Sequence, residues 1–247
     1  MNLETQVKHY DKEYRNGNAL ISDEEFNKLE RNLKTLHPDC DYFNKQLVLP
    51  SLPKDRICNF LKGLTIGTKV ILQPKYDGVA VAIEYKDGKI NKAITRKGKD
   101  ITHKMIRIQT VPLRVPTKKT LLIRGELYNV NAFNEPSKSQ RMAAGYLRSG
   151  SFIPHEDLIF SAFEIMNLNM DEVQVKRYLA NMEFNVVDTL AGSICKIQPD
   201  FDVMFPIMFN NYPTDGVVVK INSRKEQIER EKQYDLFPYS KMAIKYL

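Results

Sequence analysis

Lys75 stands in the segment Gln73-Pro74-Lys75-Tyr76-Asp77-Gly78-Val79-Ala80-Val81, a K-x-D-G run set among apolar residues. Four further segments follow in order: Arg124-Gly125-Glu126, Phe160-Ser161-Ala162-Phe163, Asp215-Gly216-Val217-Val218-Val219-Lys220 and Ala243-Ile244-Lys245. A protonated lysine is a poor nucleophile, with a reference pKa of about 10.4. In a cleft lined by other cations, or partly desolvated, it gives up its proton more readily. Arg96, Arg124, Lys220 and Lys245 offer such cations. The same charges would neutralise a phosphate in a pentavalent transition state. Asp77, Glu126 and Asp215, each expected at the end of a strand, could hold a ribose hydroxyl or a magnesium ion. A lysine nucleophile, phosphate-binding cations and a few carboxylates together suit nucleotidyl transfer through a phosphoramidate.

Each feature alone has a plainer explanation. Asp77-Gly78 and Asp215-Gly216 would serve as simple turns, and most lysines and arginines are solvated surface charges. The order of five segments argues against five coincidences. So does their setting, because Val217-Val218-Val219-Lys220-Ile221 and Met242-Ala243-Ile244-Lys245-Tyr246 place a lysine inside a strand pattern. Such a lysine points into a cleft or out to water, and alternation alone does not choose between them.

The elements that must carry these residues change character along the chain. Leu3, Val7, Tyr10 and Tyr14 recur at helical spacing and predict a helix over residues 3–15. Ser22 and Glu25 form a capping-box pattern before Phe26, Leu29, Leu33 and Leu36, an apolar stripe over residues 22–36. Asn16-Gly17-Asn18 turns between the two helices, His37-Pro38 ends the second, and a linker runs over residues 40–55. From residue 68 the pattern becomes strand-like. Lys69–Leu72 leads into the Lys75 turn, Val79–Tyr85 and Ile90–Thr95 flank Asp87-Gly88 as a hairpin, and Leu121–Tyr128, Leu158–Ile165 and Gly216–Ile221 are further strands. Helices are expected near residues 130–147 and 171–183, the latter burying Val175, Leu179 and Met182. The fold class is α+β, without internal repeats or low-complexity tracts.

The chain has 247 residues with 43% hydrophobic and 27% charged, enough for one large domain and a small appendage. Its net charge of +7 and pI of about 9.1 suit a polyanionic partner. Cys40, Cys58 and Cys195 are scattered without a C-x-x-C pair, which argues against a zinc ribbon and fits a reducing compartment. No signal peptide begins the chain and no run of about 18 apolar residues interrupts it, so a cytoplasmic location without membrane contact is expected. No helix-turn-helix or zinc-finger pattern suggests a base-specific reader.

Taken in order, the segments resemble the adenylation domain of the NAD-dependent DNA ligases, over nearly the whole chain. The resemblance implies an N-terminal helical hairpin followed by a nucleotidyltransferase domain of the ATP-grasp-like, DNA ligase and mRNA capping type, with mainly antiparallel sheets and flanking helices. It divides the chain into a helical subdomain over 1–48, which would bind the nicotinamide mononucleotide half of NAD, and an adenylation domain over 49–247. Lys75 becomes the lysine that is adenylated, with Asp77, Lys220 and Lys245 beside it as catalytic residues. Thr95-Arg96 with Gly98-Lys99-Asp100-Ile101-Thr102 looks like a shortened form of a family stretch, and assigns Arg96 to the cofactor. Glu126 of Arg-Gly-Glu would contact the nucleoside, and Ser51-Leu52 would line the adenine pocket. Gln73 replaces the glutamate that reads the adenine amino group, and its carbonyl can still accept that hydrogen bond.

Arg141-Met142-Ala143-Ala144-Gly145-Tyr146-Leu147-Arg148 is similar to a family segment whose arginines lie near DNA, which points to Arg141 and Arg148. Ile21-Ser22-Asp23-Glu24-Glu25-Phe26-Asn27-Lys28-Leu29 resembles the nicotinamide-side motif. Asp23 is kept, Phe26 and Asn27 replace a tyrosine and an aspartate, and Tyr14-Arg15 stands for a Tyr-His pair. The implied cofactors are NAD and Mg²⁺, the latter through Glu126 and Asp215, and the implied partner is nicked double-stranded DNA. The family continues into OB, zinc, helix-hairpin-helix and BRCT modules, whereas this chain stops two residues after Lys245. On this reading it is an excised domain or a short split, viral or phage form whose OB and DNA-clamping parts lie on a second subunit; a viral or phage form would work in the host cytoplasm. The rival expectations are an ATP-dependent DNA or RNA ligase, and a non-catalytic nucleic-acid-binding relative.

Overall fold

The structure is a computed structural model that describes residues 2–15, 18, 20–37, 40, 42, 52, 60–133, 135–151, 153–193, 208–233 and 240–245. Helices α1 (Leu3–Arg15) and α2 (Asp23–Leu36) form the expected N-terminal hairpin. The capping box is present: the Glu25 amide donates to Ser22 Oγ at 3.2 Å, and the Ser22 amide donates to the Glu25 carboxylate at 2.9 Å. Such a cap contributes about 1 kcal/mol to a helix start. Val7, Leu33 and Tyr42 are the hairpin's buried core, with Leu3, Phe26, Leu29 and Cys40 packed on it. Leu36 leaves the expected stripe and is 65% exposed.

Among the described residues two four-stranded sheets follow, in the orders β6-β1-β7-β8 and β3-β2-β4-β5, with antiparallel ladders between the named strands. The strands are β1 (Lys69–Tyr76), β2 (Val79–Lys86), β3 (Lys89–Thr95), β4 (Leu121–Asn129), β5 (Leu158–Ile165), β6 (Leu190–Ser193), β7 (Thr214–Ile221) and β8 (Lys241–Lys245). Among the described residues four helices accompany them: α3 (Thr102–Met105), α4 (Pro136–Arg148), α5 (Glu172–Asn181) and α6 (Arg224–Gln233). The β2–β3 turn uses left-handed residues, Asp87 at φ 49° and Gly88 at φ 73°, which match the twist of a two-residue hairpin. Among the described residues no helix is long and apolar enough to cross a membrane.

Period-two alternation gives each sheet one oily face and one polar face. Val81, Ile83 and Tyr85 of β2 and Leu121, Ile123 and Leu127 of β4 pack under Tyr146 and Leu147 of α4 and Leu179 of α5. In the other sheet Val70, Leu72, Val217, Val219, Ile221, Met242 and Ile244 pack with Phe60 and Phe209. The alternate residues, among them Gln73, Lys75, Lys220, Lys241 and Lys245, therefore share the opposite face of that sheet. Arg124 and Glu126 lie on the opposite face of the β4 sheet, and the Lys241–Glu164 ion pair at 2.7 Å closes the two polar faces on each other.

Several expectations need correction. β1 runs on through Tyr76, so Lys75 lies in a strand rather than in a turn after it. Proline is tolerated at position 74 because β6 pairs only with Lys69–Leu72, leaving no ladder partner for the missing amide on that side. Glu126 is interior to β4, not at its end, whereas Asp77 follows β1 directly and Asp215 is second in β7. The helix expected near 130–147 begins at Pro136, a residue suited to the first helical position. α6, α3 and β6 carry too few apolar residues in a regular period to be expected from sequence. The linker over 40–55 lies almost wholly outside the described residues.

Candidate active site

A bulge builds the nucleophile's seat. Pro74 pairs with Val217 and Tyr76 with Thr214, so two residues of β7, Asp215 and Gly216, oppose Lys75 alone. The Lys75 Nζ donates to Asp215 Oδ1. Lys245 Nζ lies 3.0 Å from the other oxygen, Oδ2. Burial raises the cost of the Asp215 charge, yet the hydrogen bonds from Lys75 and Lys245 hold its carboxyl below the usual aspartate range. The same contact lifts the Lys245 ammonium above its ordinary value, so this cation stays charged. Gly216 permits the geometry: a Cβ there would meet the Ile244 carbonyl oxygen at 2.1 Å.

Two further carboxyls face this trio. The Asp77 amide donates to the Pro213 carbonyl at 2.8 Å, which pins the K-x-D-G corner to the start of β7. Burial and the nearby Asp215 charge push the Asp77 carboxyl up. Burial pushes Glu126 further, up to about 8, against the pull of Lys75 and of the Gly78 amide. Gly78 lets the corner pass close over β4, since a Cβ would come 2.3 Å from the Leu127 carbonyl oxygen. Among the described residues no group of three or more His, Cys, Asp or Glu side chains forms a metal cage. The oxygen donors at hand suit a hard cation that keeps waters and phosphate oxygens in its shell. Asp77 is better placed for it than Asp215, whose two oxygens already serve Lys75 and Lys245, or than Glu126, whose burial favours the neutral acid.

Lys220 is deeper than expected. Its side chain is 4% exposed and its Nζ lies 3.1 Å from Glu172 Oε2. Burial pulls its pKa down although Glu172 and Glu164 work the other way. Around it lies a seam of charges that joins the sheets. Arg124 Nη1 donates to Glu164 Oε2 at 2.6 Å, Lys241 Nζ to Glu164 Oε1 at 2.7 Å, and Lys241 also reaches Glu172 Oε1 at 3.3 Å. Gln227 of α6 donates to Glu172 Oε1 at 2.9 Å and to the Ile221 carbonyl at 2.7 Å. Glu164 and Glu172 stay ionised, because these cations outweigh their burial. The bulge between Arg124 and Gly125 leaves Phe163 as the extra residue of β5, and its ring sits 5.6 Å from Lys220 Nζ and 5.8 Å from the Arg124 guanidinium. Glu164, Glu172, Lys241 and Gln227 were not anticipated. A charge within the apolar run Leu158–Ile165 was the signal available for Glu164, and Lys241 opens the Lys-Met-Ala-Ile-Lys strand in the same way.

Behind Lys75 lies an aromatic floor. The Tyr76 ring stacks on Tyr128 at 4.1 Å and meets Tyr212 edge-on at 5.6 Å. The Tyr212 hydroxyl donates to Asp188, which pushes its pKa up to about 12. Gln73 is buried and donates through Nε2 to Thr189 Oγ1 at 3.2 Å, leaving its oxygen as the acceptor it can offer. Arg96 follows β3 and places its guanidinium 5.9 Å from the ring centre of Tyr14, so two expected cofactor residues from the hairpin and the main body meet. Phe26 is half-buried in the hairpin's own core. Asp23 opens α2 and Arg15 closes α1, and their side chains lie outside the description. Leu52 is half-buried, while Ser51 is outside the described residues. Arg141 and Arg148 are exposed, seven residues apart on α4 and hence on one face.

Comparison with known proteins adds the family. The family model described as NAD-dependent DNA ligase adenylation domain matches residues 24–246. This chain belongs to that family. A DNA ligase of Clostridioides difficile is 25% identical over 286 aligned positions, covering 92% of this chain and 42% of that protein. A DNA ligase of Mycoplasma pneumoniae is 26% identical over 273 positions, covering 93% and 38%. The chain thus spans less than half the length of these curated relatives. Among solved structures, a putative ATP-dependent DNA ligase from Aquifex aeolicus superposes with a TM-score of 0.52 at 12% identity, over 80% of this chain and 49% of that one. An archaeal ATP-dependent RNA ligase reaches 0.50 at 14% identity, over 81% and 48%. Those two likenesses concern the fold alone. They agree with an adenylation domain of helices and antiparallel sheets, the class expected from the sequence.

Proposed function

We propose that this adenylation domain transfers AMP from NAD to Lys75, as the charging step of DNA nick sealing. The observation that carries the reading is the single carboxylate of Asp215 shared by Lys75 and Lys245, with Asp77 and Glu126 around it. Asp215 aims the Lys75 amine, and Lys245 supplies a persistent positive charge beside the reacting phosphorus. In the transfer, Lys75 Nζ first gives up its ammonium proton to solvent; the neutral amine then attacks the α-phosphorus of NAD and releases a second proton to solvent. An N–P bond forms, the P–O bond to nicotinamide mononucleotide breaks, and that mononucleotide departs with the bonding electrons. Lys220 and Arg96 add phosphate-binding charge. Glu126, largely protonated at neutral pH, can donate to a ribose hydroxyl, and Gln73 with Leu52 and Ser51 holds the base. Asp77 would hold a magnesium ion, which would neutralise phosphate charge there.

The hairpin, residues 1–48, takes the nicotinamide mononucleotide half through Tyr14, Arg15, Asp23 and Phe26, supported by the Tyr14–Arg96 contact. In the later steps AMP passes to the 5′-phosphate of a nick and the 3′-hydroxyl displaces it. Arg141 and Arg148 would grip the duplex there, with DNA-clamping parts supplied by a second subunit or by more of the same polypeptide. Intact mass after incubation with Mg²⁺ and either NAD or ATP tests the proposal. The expected gain is one AMP, about 330 Da, with NAD alone and none in Lys75→Ala. A gain from ATP instead would move the chain to the ATP-dependent reading. No gain from either nucleotide, on protein first freed of AMP, would favour the non-catalytic one.

A further inference from the structure

Lys220 and Lys241 are direct cross-strand partners in the β7–β8 ladder. Like charges placed opposite one another repel and need compensation. Here it comes from two carboxylates, and among the described residues the sharing is uneven. Glu164 is held by Arg124 at 2.6 Å and by Lys241 at 2.7 Å. Glu172 is held by Lys220 at 3.1 Å, by Lys241 at 3.3 Å and by Gln227 at 2.9 Å. At the rim, the Arg224 backbone amide donates to Asp171 at 2.8 Å while its guanidinium donates to Gln227 Oε1 at 3.1 Å, so these two residues bring one further charge of each sign. Arg124 and Lys241 are thus enough to neutralise Glu164 and Glu172. Lys220 is the surplus cation, and it can leave Glu172 without stranding a buried carboxylate.

We infer that Lys241 is a positioning residue whose charge releases Lys220 from Glu172 to an incoming nucleotide phosphate. The inference rests on the proposed AMP transfer and says how one of its cations becomes available. Lys241 keeps both glutamates neutralised from a position that is 18% exposed, while Lys220, beside Phe163 and pointing into the seam, is free to exchange its carboxylate for a phosphate oxygen. Without Lys241 the balance changes. Glu164 would rely on Arg124, Glu172 would have only Lys220 and the neutral Gln227, and a departing Lys220 would leave a buried charge unpaired. The ammonium would then be locked where it stands.

The test is a set of single-turnover AMP-transfer assays with NAD and Mg²⁺, with thermal melting followed on every variant. Lys241→Met is expected to slow transfer about tenfold or more, in line with losing one charge-stabilising group. Lys241→Arg is expected to recover most of that loss, because it restores the cation. The deciding variant is the double change Lys241→Met with Glu172→Gln. It removes the carboxylate that holds Lys220 and should bring the rate back above the Lys241→Met single. A merely structural role for Lys241 predicts the opposite, a double variant slower than either single. That result overturns the inference, and so does a Lys241→Met enzyme as fast as the wild type. Lys241→Gln serves if the methionine variant does not fold. A wild-type chain that takes no AMP from NAD defeats the parent proposal and this one together, which separates the two kinds of failure.

Discussion

Asp215 accepts from Lys75 through one carboxylate oxygen and from Lys245 through the other, so one side chain fixes both the nucleophile and its neighbouring cation. Asp215→Asn keeps the shape and removes the charge. AMP transfer should fall about a hundredfold, the scale of losing a preorganised electrostatic group. The stability effect has a defined sign. The folded carboxyl sits below its ordinary value of 3.8, so its contribution is present above that pH and is lost as the pH falls through the lower folded value. The melting deficit of Asp215→Asn should be clear at pH 7 and should close under strongly acid conditions.

Glu126 behaves in the reverse sense. Its carboxyl is pushed from 4.5 up to about 8 by burial, so across that window the folded chain holds a proton the unfolded chain has released. Stability from this group therefore declines as pH rises from 4.5 to about 8. Glu126→Gln removes the penalty. Its melting temperature relative to the wild type should climb between pH 5 and pH 8, and a flat difference across that range would contradict the assignment.

Gly216 and Gly192 make a matched pair of probes. An added Cβ at Gly216 meets the Ile244 carbonyl oxygen at 2.1 Å, whereas one at Gly192 meets nothing within 4 Å among the described residues. Gly216→Ala must push β8 from β7 and should cost about 1–3 kcal/mol of stability. It also moves Lys245 away from Asp215, so AMP transfer should fall with it. Gly192→Ala should remain within about 0.5 kcal/mol of the wild type by denaturant melting.

Arg141 and Arg148 share one exposed face of α4. If each meets a phosphate, removing either should weaken binding to nicked duplex and lower the slope of log affinity against log salt by about 0.9. Titrations of Arg141→Ala and Arg148→Ala at several salt concentrations check this. An unchanged slope would place the DNA elsewhere.

Much of the scaffold was legible because the carrying signals are local. The Ser22–Glu25 cap and the Asp87-Gly88 turn each involve residues a few positions apart, and both form. The five ordered segments supply strands that do bring Lys75, Asp77, Glu126, Asp215 and Lys245 together. The seam of Glu164, Glu172 and Lys241 was not legible, since its members come from β5, α5 and β8 and only the bulge at Phe163 and the ladder register align them. The same is true of Lys220. Sequence alternation placed it in a strand, but its depth and its Glu172 partner depend on α5 and α6 packing behind it.

The strict two-sidedness of β7 makes its length intolerant of error. Val217, Val219 and Ile221 face oil, while Gly216, Val218 and Lys220 face the charged side. Inserting a single residue early in β7 would turn the strand over. Three aliphatic side chains would then confront Glu164 and Glu172, and an ammonium would be driven toward Phe60 and Phe209. The same insertion at the exposed Lys118-Lys119 stretch before β4 would invert nothing. Sequence length is therefore fixed in this strand by the parity of its residues, and evolution can lengthen the chain around it far more freely than within it.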